Sequence, residues 1–111
     1  MAYNTQLAGR IRVLLGTQSG VVEKSMFGGI AFLLNGNMCI GVSKDDMIAR
    51  MSVDAADAAL SRPGARPFQV SPRSKPMAGW LFVSADALTS LAILRKWVEQ
   101  CVDHASALPA K

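Results

Sequence analysis

Arg62, Arg66, Arg73 and Lys75 lie within one stretch, 62–75, that contains no acid. Four cations so close together could neutralise phosphates, since each lysine or arginine that meets a phosphate releases a counterion from the nucleic acid. Pro63, Pro67 and Pro72 restrict φ along the same stretch, and Pro76 follows, so ordering it against a partner costs little. The chain holds 12 Lys and Arg against 8 Asp and Glu, net +4; without these four cations the remainder is neutral. Phe68 is the stretch's single aromatic, which gives stacking of single-stranded bases little support. The plain alternative is a solvated loop with its charges in water. Arg10, Arg12 and Lys24 extend the patch only if the fold brings them near.

Other candidate chemistry is thinner. Gly28-Gly29 follows a strand-like segment, but no helix pattern and no lysine-bearing phosphate loop comes after it. A tight turn or bulge with close backbone approach accounts for the pair. Cys39 and Cys101 each sit in an apolar periodic segment, where a free thiol packs as a small hydrophobe. With His104 the lone histidine, neither a metal cluster nor a Ser-His-Asp arrangement can be assembled. Asp45-Asp46 falls in a turn, where adjacent carboxylates point apart and stay solvated. No metal, no cofactor and no enzymatic activity is expected. Met26, Phe27 and Met38 serve either the core or an adaptable partner groove. Trp80 and Trp97 cover the edge of the core, or line a ligand pocket.

The elements that must position these residues follow from periodicity. Leu7, Ile11, Leu14 and Leu15 make one helical stripe, with Asn4 or Thr5 as cap and Gly16 at the end. From Val21 the period becomes that of strands: 21–27, 30–34, 37–42 and 47–51, with Asn35-Gly36 as a hairpin turn. Met38, Ile40 and Val42 alternate with Cys39 and Gly41, which predicts a strand covered on one face. A short alanine-rich helix spans 54–60, capped by Ser52 or Asp54. Segment 68–70 is a candidate edge strand and 80–83 a further strand. A last helix, capped near Thr89 or Ser90, gathers Leu91, Leu94, Val98, Cys101, Val102 and Ala105 on one face with Trp97 bordering it; 106–111 is a tail. The fold expected is α+β: an antiparallel meander sheet with N- and C-terminal helices packed on one face and a short middle helix.

At 111 residues, half of them hydrophobic and 18% charged, the chain suits one self-sufficient domain over 1–111 and not a disordered tail. No apolar run approaches a membrane span, and the first residues lack a signal peptide's charged and apolar regions. A soluble, cytoplasmic domain is expected.

Lys24-Ser25-Met26-Phe27-Gly28-Gly29-Ile30-Ala31-Phe32 and Asn35-Gly36-Asn37-Met38-Cys39 resemble the core signature of the TfoX/Sxy N-terminal domain. Pro63-Gly64-Ala65-Arg66-Pro67-Phe68, Lys75-Pro76-Met77, Gly79-Trp80 and Trp97-Val98 continue the resemblance over residues 3–109. It implies a regulator, because the family takes its name from activators of natural competence that act with the cyclic-AMP receptor protein at promoters. It also implies mostly structural roles for Lys24, Met26, Phe27, Gly28, Gly29, Asn35, Gly36, Met38, Cys39 and Trp80. The full-length regulators carry a second, C-terminal domain; this chain resembles a single-domain member. Three readings follow. The first is a non-enzymatic regulatory domain with a protein partner, expected in the transcription machinery. The alternative is sequence-nonspecific nucleic-acid binding through Arg62, Arg66, Arg73 and Lys75. The third is a small-molecule sensor or enzyme with a pocket near Trp80. An uncovered sheet edge would permit a homodimer; no membrane role is expected.

Overall fold

The computed structural model describes residues 3–26, 28–69 and 71–111. Helix α1 (Thr5–Leu14) leads into four strands, β1 (Val21–Met26), β2 (Gly29–Leu34), β3 (Asn37–Ser43) and β4 (Asp46–Arg50). Helix α2 (Val53–Ala59), strands β5 (Ala65–Pro67) and β6 (Trp80–Ser84), a 3-10 turn (Ala85–Leu88) and helix α3 (Leu91–Ser106) complete the chain. The strands form one antiparallel sheet in the order β1-β2-β3-β4-β6-β5. The α+β architecture expected from periodicity is the one observed, and its first four strands are a meander.

Local chemistry explains the element ends. The Asn4 side chain accepts from the Leu7 N–H, Ser52 from the Ala55 N–H and Ser90 from the Ile93 N–H, so each helix starts with a capped amide. Asn35 at φ 52° and Gly36 at φ 84° make the β2–β3 connection the type that matches strand twist.

The three helices lie on one side. α3 packs on β2, β3 and β4, α1 packs on α3, and α2 packs on β6. Leu7, Ile11, Phe32, Leu34, Ile40, Val42, Met47, Leu81, Val83, Leu94, Trp97, Val98 and Cys101 fill the space between helices and sheet. The segment after α3 is strapped down: the Asn37 side-chain amide donates to the Pro109 carbonyl, and the Lys111 N–H to the Asn35 carbonyl.

Several expectations are corrected. The edge strand is Ala65–Pro67, earlier than the expected 68–70; Val70 lies outside the described residues, as does Phe27. Asp46 sits in β4 and not in a turn, and its carboxylate accepts from Arg66. A register shift between Phe32 and Leu33 turns both Cys39 and Ile40 toward the helices, so Met38 takes the opposite face. On α3, Trp97 is 1% exposed and central to the core, whereas Leu91, in the first turn, is 53% exposed.

Candidate functional site

Side chains alternate along a strand, so each residue opposite a core-facing one belongs to the sheet's second face. One cross-strand row runs through all six strands: Lys24, Ala31, Gly41, Ile48, Phe82 and Arg66. Its two ends are cations and its middle is apolar. Beside it runs a second row, Val22, Leu33 and Met38, continued by Arg50 and Trp80. No described helix covers this side. Ala31 and Ile48 are nonetheless buried, outside the main core, because neighbours close over them. A Cβ at Gly41 would meet Met38 Cε at 2.8 Å and Ile48 Cδ1 at 3.3 Å, which locates both side chains above that glycine.

Three aromatic rings gather at the β6 end of this face. Phe68 lies 5.8 Å from Trp80 and 4.7 Å from Phe82 between ring centroids. Arg50 stands over the Trp80 ring at 5.1 Å and Arg66 over the Phe82 ring at 5.2 Å. Arg66 also forks onto Asp46, Nη1 to Oδ1 at 3.2 Å and Nη2 to Oδ2 at 2.9 Å, and donates to Ser84 Oγ at 2.8 Å. The Asp46 carboxylate raises the Arg66 pKa further above its ordinary value. Lys24, Arg50 and Arg66 thus border the apolar surface, and Asp46, its described acid, is already engaged.

The four cations of segment 62–75 separate in space by role. Arg66 is bound into the sheet face. Arg62 lies instead on the helical layer, its guanidinium 3.6 Å from the Trp97 ring centre and donating to Gln100 Oε1. Arg73 and Lys75 are exposed on the loop between β5 and β6, beside a turn in which Ser71 and Ser74 hydrogen-bond each other. Arg10 donates to the Leu88 and Thr89 carbonyls, and Arg12 pairs with Glu23 at 2.6 Å. That pairing holds the Glu23 carboxyl below its usual range. Of the three outlying cations, Lys24 alone is on the open face.

The signature residues shape this sheet. Gly28 takes φ +73°, and Gly29 lies where a Cβ would fall 2.1 Å from the Val42 carbonyl oxygen. Asn35 and Gly36 form the hairpin turn, and Met26 is half-buried at the end of β1. Arg50, Ile48, Leu33 and Phe82 are members of the face that sequence reasoning missed. The alternation of Trp80 and Phe82 with the core residues Leu81 and Val83 was the available signal.

Both ends of the sheet resist further pairing. β5 is three residues long and ends in Pro67. In a two-fold antiparallel pairing of β1 with a second copy, facing residues share a side of the sheet. The two registers with most overlap then set Glu23 against Glu23 or Lys24 against Lys24, both repulsive.

Cys39 and Cys101 are buried thiols. Burial pushes the Cys39 pKa up to about 12 and raises that of Cys101 as well. In the folded protein neither thiol should react with a disulfide reagent at about pH 8, and both should react once urea unfolds the chain. Unfolding returns these thiols to about 8.5, so the unfolded chain loses protons first. Stability is therefore full below about pH 8.5 and declines as pH rises beyond it, as urea midpoints across that range will record. His104 is shifted below its usual value by burial first and by the Arg50 charge second. Among the described residues no three His, Cys, Asp or Glu side chains gather as a metal ion requires. No described helix is long and apolar enough to cross a membrane.

The model of the TfoX N-terminal domain matches residues 13–105, from the end of α1 to the last turn of α3. The chain belongs to the TfoX N-terminal domain family. No curated protein and no solved structure matches it. The match spans the whole sheet, so the open face and both of its cationic ends lie within the TfoX N-terminal region.

Proposed function

We propose that this TfoX N-terminal domain is a non-enzymatic regulatory module that docks an acidic, apolar-bearing protein partner on its open sheet face. The row Lys24, Ala31, Gly41, Ile48, Phe82 and Arg66 carries the reading. Exposed Val22 and half-buried Leu33, Met38, Trp80 and Phe82, lying around the buried Ala31 and Ile48, offer apolar area that is released from water on contact. The cations around them select a partner of opposite charge. Met38 beside it is a side chain that adapts to varied surfaces. A second copy docked face to face would set this cationic rim of Lys24, Arg50 and Arg66 against the same cations, which makes it a poor occupant. Regulation of transcription is the role that the family's competence regulators suggest for such docking.

Nucleic acid is the second reading, favoured by the exposure of Arg73 and Lys75. The aromatic faces count against base stacking, because Arg50 and Arg66 already stand over Trp80 and Phe82.

One comparison separates the two. The wild-type domain and a Leu33→Glu, Met38→Glu double variant are used to recover partners from cells that express it, and duplex DNA is titrated by fluorescence anisotropy across a salt series. Docking on the face predicts a protein recovered about tenfold less by the double variant, with DNA binding weak throughout. Equal recovery by both proteins overturns it. Tight DNA binding with a log–log salt slope near −3.6, from four phosphate contacts at about −0.9 each, would favour the second reading. Arg73 and Lys75 alone would give a slope of about −1.8.

A further inference from the structure

On the helical layer, away from the open face, a groove of about 350 Å³ lies between the 3-10 turn, the start of α3 and the link that follows α2. Pro63, Ala87, Ala92, Ile93 and Trp97 form its apolar walls, and Arg62 and Lys96 are its charges. Among the described residues no carboxylate lines it. Arg12 and Arg66 each have an acidic partner, whereas Arg62 is in no ion pair among the described residues. Its Nη1 donates to Gln100 Oε1, and neither Nε nor Nη2 has a described protein acceptor. The Trp97 ring holds the guanidinium from below, so its orientation is set before anything binds.

We infer that this groove binds a small organic anion, a carboxylate on a short aliphatic or aromatic body. The carboxylate would accept from the free Nε and Nη2 edge of Arg62, a fork that matches two oxygens, with Lys96 adding a second positive charge. The body would lie against Ile93, Pro63 and Ala92. Ile93 is 46% exposed without such a cover. Partial burial lowers the pKa of Arg62 from its ordinary value, as expected of a cation that lacks a counter-charge where it sits.

The test uses Trp97 as reporter, in a Trp80→Phe protein where it is the sole tryptophan. Hexanoate, benzoate and the neutral control 1-hexanol are titrated while Trp97 emission is followed, and amide chemical shifts are recorded in parallel. The inference predicts saturable changes with both carboxylates, at dissociation constants on the order of 1 mM for probes this small. Hexanol should bind at least about tenfold more weakly, and Arg62→Met should weaken hexanoate by about tenfold or more. Shifts should centre on residues 62, 63, 87, 92, 93, 96 and 97. If Arg62→Met unfolds, Lys96→Ala on the exposed surface takes its place, with a few-fold loss expected. Indifference to charge, with hexanol equal to hexanoate, overturns the inference. So does the absence of any saturable change with both carboxylates in a folded protein. The open-face reading survives either outcome, since it shares no residue with the groove.

Discussion

Trp97→Ala is expected to lower the unfolding free energy by about 3–5 kcal/mol, the cost typical of deleting a buried large aromatic side chain. Trp97 is 1% exposed and belongs to the same cluster as Leu94, Val98 and Cys101. α3 crosses the middle strands, where neither helix nor sheet can collapse into the space that the indole leaves. Arg62 loses its ring at the same time and keeps only Gln100. The cation–ring contribution is about 0.5–2 kcal/mol, smaller than the packing loss. Trp97→Phe, which retains a ring, should therefore cost clearly less than alanine. Urea unfolding followed by circular dichroism measures this as a fall in midpoint at unchanged slope. A double cycle with Arg62→Ala isolates the contact between the two side chains. A loss below about 1 kcal/mol for Trp97→Ala would contradict the placement of the indole in the core.

The same residue shows what periodicity can and cannot convey. Leu94, Trp97, Val98 and Cys101 have the spacing of one helix face, yet a stripe drawn through Leu91, Leu94, Val98, Cys101, Val102 and Ala105 leaves Trp97 at its border. Leu91 has suitable chemistry for the core, but it lies in the first turn of α3, where exposure shows that nothing covers it. Local pattern specifies an element and its apolar side; where the neighbouring elements stop is a property of the topology. β1 to β4 were legible because a meander pairs consecutive strands and Asn35-Gly36 marks a turn. β5 was displaced in the reading because a three-residue edge strand ending in proline has too few positions to show a period of two.

The open face was hidden for a related reason. β6 inserts between β4 and β5, so Arg50 meets Trp80, and Arg66 meets Phe82, across chain separations that no local pattern spans. Segment 62–75 has one charge density along the sequence and three environments in space. Arg62 turns to the helices, Arg66 to the sheet face, and Arg73 and Lys75 to solvent. Linear clustering of charge therefore overstated the patch available to a phosphate backbone. It also concealed a cation without a counter-charge, which is the feature of Arg62 that matters.

Gly29→Ala should be the most damaging of the glycine substitutions, at about 3 kcal/mol, the upper end for forcing extra volume into a packed site. The new Cβ would fall 2.1 Å from the Val42 carbonyl oxygen, 3.1 Å from its carbon and 3.2 Å from Ser43 Cα. All three are backbone atoms of β3, the strand hydrogen-bonded to β2, so no side-chain rotation relieves the overlap. Separating the strands at this end would disturb the register that aligns Lys24, Ala31, Gly41 and Ile48. Two neighbouring cases fix the scale. Gly28→Ala meets the left-handed backbone at φ +73°, for which an alanine costs about 1–2 kcal/mol. Gly9→Ala, inside α1 with nothing within 4 Å of the new carbon, should stabilise by about 0.5–1 kcal/mol. Thermal midpoints of the three variants should thus fall in the order Gly9→Ala, wild type, Gly28→Ala, Gly29→Ala. A Gly29→Ala protein as stable as wild type would show that β2 and β3 do not approach as described, and the cross-strand row that carries the docking face would lose its basis.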